Sequence, residues 1–174
     1  ACAGAGGKSL HMAALMENKG SILSLDIYPK KLEELKRRAR RNGAHNIETR
    51  LIDSNKVIKK LMGKADRLLI DAPCTGLGVL RRNPGSKWKL SPEFLEEIIE
   101  KQQEILAAYA PMLKADGEMV YATCSILPQE NKQQIDRFLK TEMGQNFKII
   151  KEQTLLPSAT NFDGFYMALL KRVS

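Results

Sequence analysis

A chain of 174 residues with 43% hydrophobic and 28% charged side chains reads as one globular domain (residues 1–174) with a core of its own. No apolar run approaches the roughly 18 residues of a membrane helix, and no signal-peptide pattern is present, so a membrane partner is not expected and the cytoplasm is the expected compartment. The net charge of +8 favours a polyanionic partner, RNA or DNA, held through phosphate contacts.

The elements alternate between helix and strand. The opening "ACAGAGGKS" is a glycine loop, followed by a helix from Ser9 to about Asn18 that stops at Gly20. "SILSLDI" predicts a strand ending near Asp26. Pro29 starts a helix with Leu32, Leu35 and Ala39 on one face, closed by Asn42-Gly43. "IETRLID" predicts a strand ending near Asp53, "KVIKKLM" a short helix, and "DRLLID" a strand ending near Asp71. A long polar loop runs from Ala72 to Leu90 before Ser91-Pro92 opens a long helix, which Pro111 should end or kink. "EMVYATC" predicts a strand ending near Cys124, and Pro128 a helix running to about Thr141. Two last strands, "FKIIKEQ" and "FYMALLKR", form an antiparallel edge. This order implies an α/β fold with a mostly parallel twisted sheet and helices on both faces.

Asp26, Asp53, Asp71 and Cys124 all fall at strand ends, and ligands of open parallel sheets bind at the carboxyl ends of the strands. The opening loop resembles two nucleotide loops and matches neither. The first glycine of a G-x-x-x-x-G-K-S pattern falls on Cys2, and the last glycine of G-x-G-x-x-G falls on Ser9. Asp26 follows Gly6 by 20 residues, a spacing that suits an acid accepting from ribose hydroxyls. Asp53 is placed to meet an adenine amine. A nucleoside with a short polar tail satisfies these features, and S-adenosylmethionine is such a molecule.

The cysteines Cys2, Cys74 and Cys124 form no C-x-x-C pair and are odd in number, which argues against a zinc cluster or a disulfide framework. No metal is expected. Two of them stand in "DAPCTGLG" (Asp71 to Gly78) and "YATCSILPQEN" (Tyr121 to Asn131). Together with the opening loop, these motifs resemble the RsmB/Sun family of RNA 5-methylcytosine methyltransferases. The resemblance runs nearly end to end and includes "RRNPGSKWKLSP" of the rRNA-directed branch and the closing "DGFYMALLKR".

The resemblance implies a Rossmann-like class I methyltransferase fold. It implies Cys124 as nucleophile, Cys74 as the residue assisting product release, and Asp71 as the contact to the cytosine ring. It assigns Cys2, Ala3, Gly4, Ala5, Gly6, Gly7, Lys8, Asp26, Asp53 and Asp71 to S-adenosylmethionine. RNA, ribosomal in this branch, is the implied partner; a monomer is the default expectation, on which the sequence is silent. Arg81, Arg82, Lys87, Trp88 and Lys89 mix cations with an aromatic ring, a combination suited to RNA backbone and base contacts. "KRRARR" (Lys36 to Arg41) is either a solvated helix face or a second phosphate contact. Family members carry a central hydrophobic strand just before "ACAGAGG" and an upstream RNA-facing subdomain, neither of which is in this sequence. The expectation is therefore an N-terminally truncated catalytic domain that, alone, binds cofactor weakly and RNA poorly. A non-catalytic RNA-binding module with the same fold is the alternative.

Overall fold

The computed structural model describes residues 1–173, and the chain divides into two compact units, Ala1–Lys60 and the remainder from Leu61. In the first unit, α1 (Gly7–Leu15), β1 (Ile22–Asp26), α2 (Pro29–Arg41), β2 (Ile47–Leu51) and α3 (Asn55–Lys59) follow one another. β1 and β2 pair in parallel, with Ile22 opposite Ile47 and Asp26 opposite Leu51. The predicted apolar stripe of α2 is the one that is buried: Leu32, Leu35 and Ala39. Its charged residues Lys36, Arg37, Arg40 and Arg41 stay in solvent, as a helix period of 3.6 requires. α1 starts two residues earlier than its sequence suggests, because Gly6 takes the left-handed conformation (φ 87°) and turns the chain into the helix.

The second unit contains β3 (Ala65–Asp71), α4 (Pro92–Tyr109), β4 (Leu113–Thr123), α5 (Lys132–Leu139), β5 (Phe147–Leu155), α6 (Pro157–Thr160) and β6 (Phe165–Arg172). Its sheet has the order β3-β4-β6-β5. β3 and β4 are parallel, whereas β6 runs antiparallel to both β4 and β5. The two last strands are thus antiparallel as expected, but only β5 is an edge. β6 is an interior strand. Composition explains the difference. "FYMALL" is an unbroken apolar run suited to a central strand, whereas β5 exposes Lys148, Lys151 and Gln153 along an open edge. Tyr166, Ala168 and Leu170 of β6 point into a core with Met119 and Tyr121 of β4, Leu106 and Tyr109 of α4, and Ile135 and Phe138 of α5. Tyr121 and Tyr166 meet edge to face, as do Phe138 and Phe147.

Local chemistry sets the helix ends. Ser91 caps α4 by accepting from the Phe94 N–H at 3.2 Å, with Pro92 in the first turn. Pro111 ends the helix in a 3-10 turn over Ala110–Met112. The helix expected from Pro128 is broken in two, a 3-10 turn (Pro128–Glu130) followed by α5. Asn131 leaves helical geometry because its side chain is claimed elsewhere: it accepts from Thr123 Oγ1 at 2.5 Å and donates to the Ser125 carbonyl at 2.9 Å. Among the described residues, no helix is long and apolar enough to cross a membrane.

Candidate active site

Each compact unit carries one part of the predicted site. In the first unit, the glycine loop alternates left-handed residues: Cys2 (φ 56°), Gly4 (φ 57°) and Gly6 (φ 87°). The loop is anchored on β1 by the Ala3 N–H, which donates to the Leu25 carbonyl at 2.9 Å. Asp26, the last residue of β1 and almost fully buried, accepts from the Gly4 N–H at 2.7 Å and from the Tyr28 N–H at 2.9 Å. Each carboxylate oxygen therefore takes one backbone donor and retains a second lone-pair direction. A side chain at Gly6 would collide with Leu35, 2.4 Å from its Cγ, so glycine is required there by packing as well as by φ. At Gly4 and Gly7 an added Cβ would meet nothing within 4 Å. The loop thus presents open backbone over an acid, which fits the adenosyl and methionine portions of S-adenosylmethionine.

Asp53 lies two residues beyond β2, exposed, and accepts from its neighbour Ser54 Oγ at 3.0 Å. Lys8 is exposed in the first turn of α1. One member of the basic helix run supports the loop directly. Arg38 reaches across to donate to the Ala5 carbonyl at 2.9 Å, bracing the glycine loop from α2. The sequence gives no sign of which arginine in "KRRARR" does this. His11 and His45 are both exposed.

In the second unit, Asp71 is the last residue of β3 and Cys124 the first after β4. The two thiols meet: Cys74 Sγ and Cys124 Sγ are 3.2 Å apart, both half-buried and neither in a disulfide. The hydrogen bond with Cys124 pushes the Cys74 thiol well above the ordinary cysteine range, and burial adds to the effect. The negative charge of Glu130 works in the same direction. The loop from Cys74 onward is fastened to Cys124 by the Gly78 N–H, which donates to the Cys124 carbonyl at 2.9 Å. The Gly164 N–H in turn donates to the Gly78 carbonyl at 2.7 Å.

Of the basic loop, Arg82 forms an ion pair with Asp163 at 2.5 Å, and Arg81 donates to the Asn161 carbonyl at 3.2 Å. Both arginines join the loop after β3 to the loop before β6. Lys87 lies over the Trp88 ring at 4.7 Å, and Trp88 is 81% exposed. The side chain of Lys89 falls outside the described residues. Residues that sequence reasoning passed over are Thr75, Gln102 and Glu130, whose buried hydrogen bonds surround the cysteine loops. Glu130 and Thr75 lie inside the quoted motifs, but Gln102, in mid-helix, carries no local signal at all.

An α/β fold with parallel strand pairs, an antiparallel closing pair and a glycine loop followed by a helix and an acid-ended strand is that of a class I methyltransferase. The model of the family "16S rRNA methyltransferase RsmB/F" matches residues 1–171, and the chain belongs to that family. Relatives include a probable ribosomal RNA small subunit methyltransferase B of Synechocystis sp., 35% identical over 98% of this chain and 42% of that protein. Another, bearing the same description, is from Bacillus subtilis, 40% identical over 80% of this chain and 32% of that protein. The chain thus spans less than half the length of the curated relatives it matches. Among solved structures, NSun6 from Pyrococcus horikoshii with SFG superposes with a TM-score of 0.86 at 28% identity, covering 98% of this chain and 46% of that one.

Proposed function

We propose that the protein to which this chain belongs transfers a methyl group from S-adenosylmethionine to carbon 5 of a cytosine in RNA, of the 16S ribosomal type, in the cytoplasm and as a monomer. The family match across both compact units supports reading them as parts of one methyltransferase domain. The observation that carries the chemistry is the pair of thiols 3.2 Å apart, one from the D-A-P-C and one from the T-C-S motif. Cofactor use is supported by the open glycine loop over Asp26 and by the relative solved with SFG, an S-adenosylmethionine analogue.

Carbon 5 of cytosine is a weak nucleophile. The Cys124 thiolate adds at carbon 6, forming the C–S bond and pushing electron density onto carbon 5 and the N3 side of the ring. Asp71, at the end of β3, hydrogen-bonds or protonates N3 and so accommodates that charge. S-adenosylmethionine, which the glycine loop would hold, would supply the methyl group: the C5–CH3 bond would form as the sulfonium S–CH3 bond breaks, the electron pair staying on the departing thioether sulfur. A base then takes the proton from carbon 5, the C5–C6 double bond re-forms, and the C–S bond breaks with the electron pair returning to Cys124. Cys74 assists that departure in this reading, which its 3.2 Å hydrogen-bonded contact with Cys124 supports. Lys8 and Asp53 serve the cofactor in this reading, and Lys87, Trp88 and Lys89 the RNA. Arg81 and Arg82 act first as struts for the loop. A target base must leave its stack to reach a half-buried thiol, so single-stranded or helix-end RNA is the substrate form.

The test is covalent trapping. The whole protein carrying Cys74→Ala, incubated with S-adenosylmethionine and total RNA, should give a protein–RNA adduct stable on a denaturing gel. The adduct should vanish when Cys124→Ala is added, and the trapped RNA identifies the substrate. Folded, cofactor-binding protein that gives no adduct would favour a non-catalytic RNA-binding module.

A further inference from the structure

Glu130 is fully buried. A carboxylate in that position is costly unless hydrogen bonds replace its water. Four donors do so. The Thr75 N–H donates to Oε1 at 2.8 Å and the Thr75 hydroxyl to Oε2 at 2.6 Å. The Ser125 hydroxyl donates to Oε2, and Gln102 Nε2 to Oε1 at 3.1 Å. Thr75 directly follows Cys74, and Ser125 directly follows Cys124. One side chain therefore grips the residue after each thiol.

Its own backbone is fixed to the same sheet. The Tyr121 hydroxyl donates to the Glu130 carbonyl at 2.9 Å, and the neighbouring Asn131 binds Thr123 and Ser125 on either side of Cys124. Gln102 reaches from α4 to hold the Pro73 carbonyl at 2.9 Å with the amide nitrogen it also gives to Glu130. Stability alone does not call for this arrangement, since apolar side chains of similar volume can replace a buried polar network at little or no cost. A multiply bonded carboxylate contributes fixed direction and distance instead.

We propose that Glu130 is the positioning residue of the two-thiol site, clamping the Cys74 loop to the Cys124 loop and so setting which sulfur is free to react. Its catalytic consequence rests on the function proposed above; the clamp itself is tested without RNA or cofactor. The charged and titratable groups acting on Cys74 are Cys124 and Glu130, and Tyr121 is coupled to both Cys74 and Glu130. Removing the Glu130 charge and loosening its grip should lower the resistance of Cys74 to ionisation.

The experiment follows iodoacetamide labelling of each cysteine in the whole protein by mass spectrometry, from roughly pH 7 to 9, the range in which an ordinary thiol titrates. Cys2, far from the clamp in sequence, is the internal control. In the unaltered protein Cys74 should label far more slowly than Cys2 at every pH in this range. In Glu130→Gln, shown to be folded by circular dichroism, Cys74 should label about tenfold faster throughout this range, with Cys2 unchanged. Thr75→Val, which removes one of the four donors and leaves Glu130 in place, should give a smaller change of the same sign, and it decides the matter if Glu130→Gln does not fold. Folded Glu130→Gln with Cys74 labelling as before would overturn the proposal. So would Thr75→Val without change when it is the deciding variant, or equal acceleration at Cys2. A labelling change in a protein that never traps RNA would leave the clamp standing and refute the methyltransferase reading alone.

Discussion

Gly78 gives the sharpest stability prediction, because the structure fixes both what an added methyl group meets and what it breaks. A Cβ there would stand 2.1 Å from the Gly164 carbonyl oxygen, 2.6 Å from its carbon and 2.8 Å from the Cys124 carbonyl oxygen. All are backbone atoms, and ordinary contact lies about an ångström further out. The two loops must separate, which strains or breaks the bonds from Gly78 N to Cys124 O (2.9 Å) and from Gly164 N to Gly78 O (2.7 Å). Overpacking of this kind costs about 1–3 kcal/mol, and buried backbone groups left short of a partner about 1–3 kcal/mol more. Restriction of the unfolded chain by alanine returns about 0.4–1 kcal/mol. Gly78→Ala should therefore destabilise the protein by about 3 kcal/mol, lowering Tm by about 6–12 °C for a chain of this size. Urea titration and thermal melting followed by circular dichroism measure it. Gly85→Ala, in the same polar loop with nothing within 4 Å of the new Cβ, is the control and should stay within about 0.5 kcal/mol. Gly78→Ala matching that control would refute the reasoning.

Asp26→Asn replaces one acceptor oxygen with an amide donor facing the Gly4 or Tyr28 N–H. Calorimetry on the whole protein should show S-adenosylmethionine affinity falling at least about tenfold, and urea unfolding a loss of about 1–3 kcal/mol. Trp88→Ala should leave stability unchanged, since the ring is 81% exposed, while weakening single-stranded RNA binding by about 1–3 kcal/mol if a base stacks there. The stability profile should also fall on the alkaline side. Hydrogen bonding to Cys124 raises Cys74, and burial raises Tyr121 and Tyr166. These groups release protons first in the unfolded chain, from about pH 8.5 for cysteine and about pH 10 for tyrosine. The contribution is complete below about pH 8.5 and is lost as pH rises above it. Urea midpoints at increasing pH measure the slope, and Cys74→Ala should flatten its first part.

The elements and their ends are local in origin. Pro29, Ser91-Pro92 and Pro111 act through their own backbone geometry and nearest neighbours, so their effect is legible without a fold. The stripe Leu32, Leu35 and Ala39 is legible because helical period and burial coincide. The motif cysteines and strand-ending acids can be picked out as chemistry, although the role of each rests on resemblance. The remaining features exist only once distant segments pack. Packing puts β6 between β4 and β5, brings Cys74 to Cys124 across 50 residues, and engages Arg82 with Asp163 across the loops. It also closes Glu130 inside a shell of donors drawn from Thr75, Gln102 and Ser125. Helix caps and periodicities act over a few residues and leave a local pattern. Contacts between distant segments are set by how apolar faces pack and by the need to satisfy each buried polar group. No local pattern records which Gln, Arg or Glu will be the one enclosed.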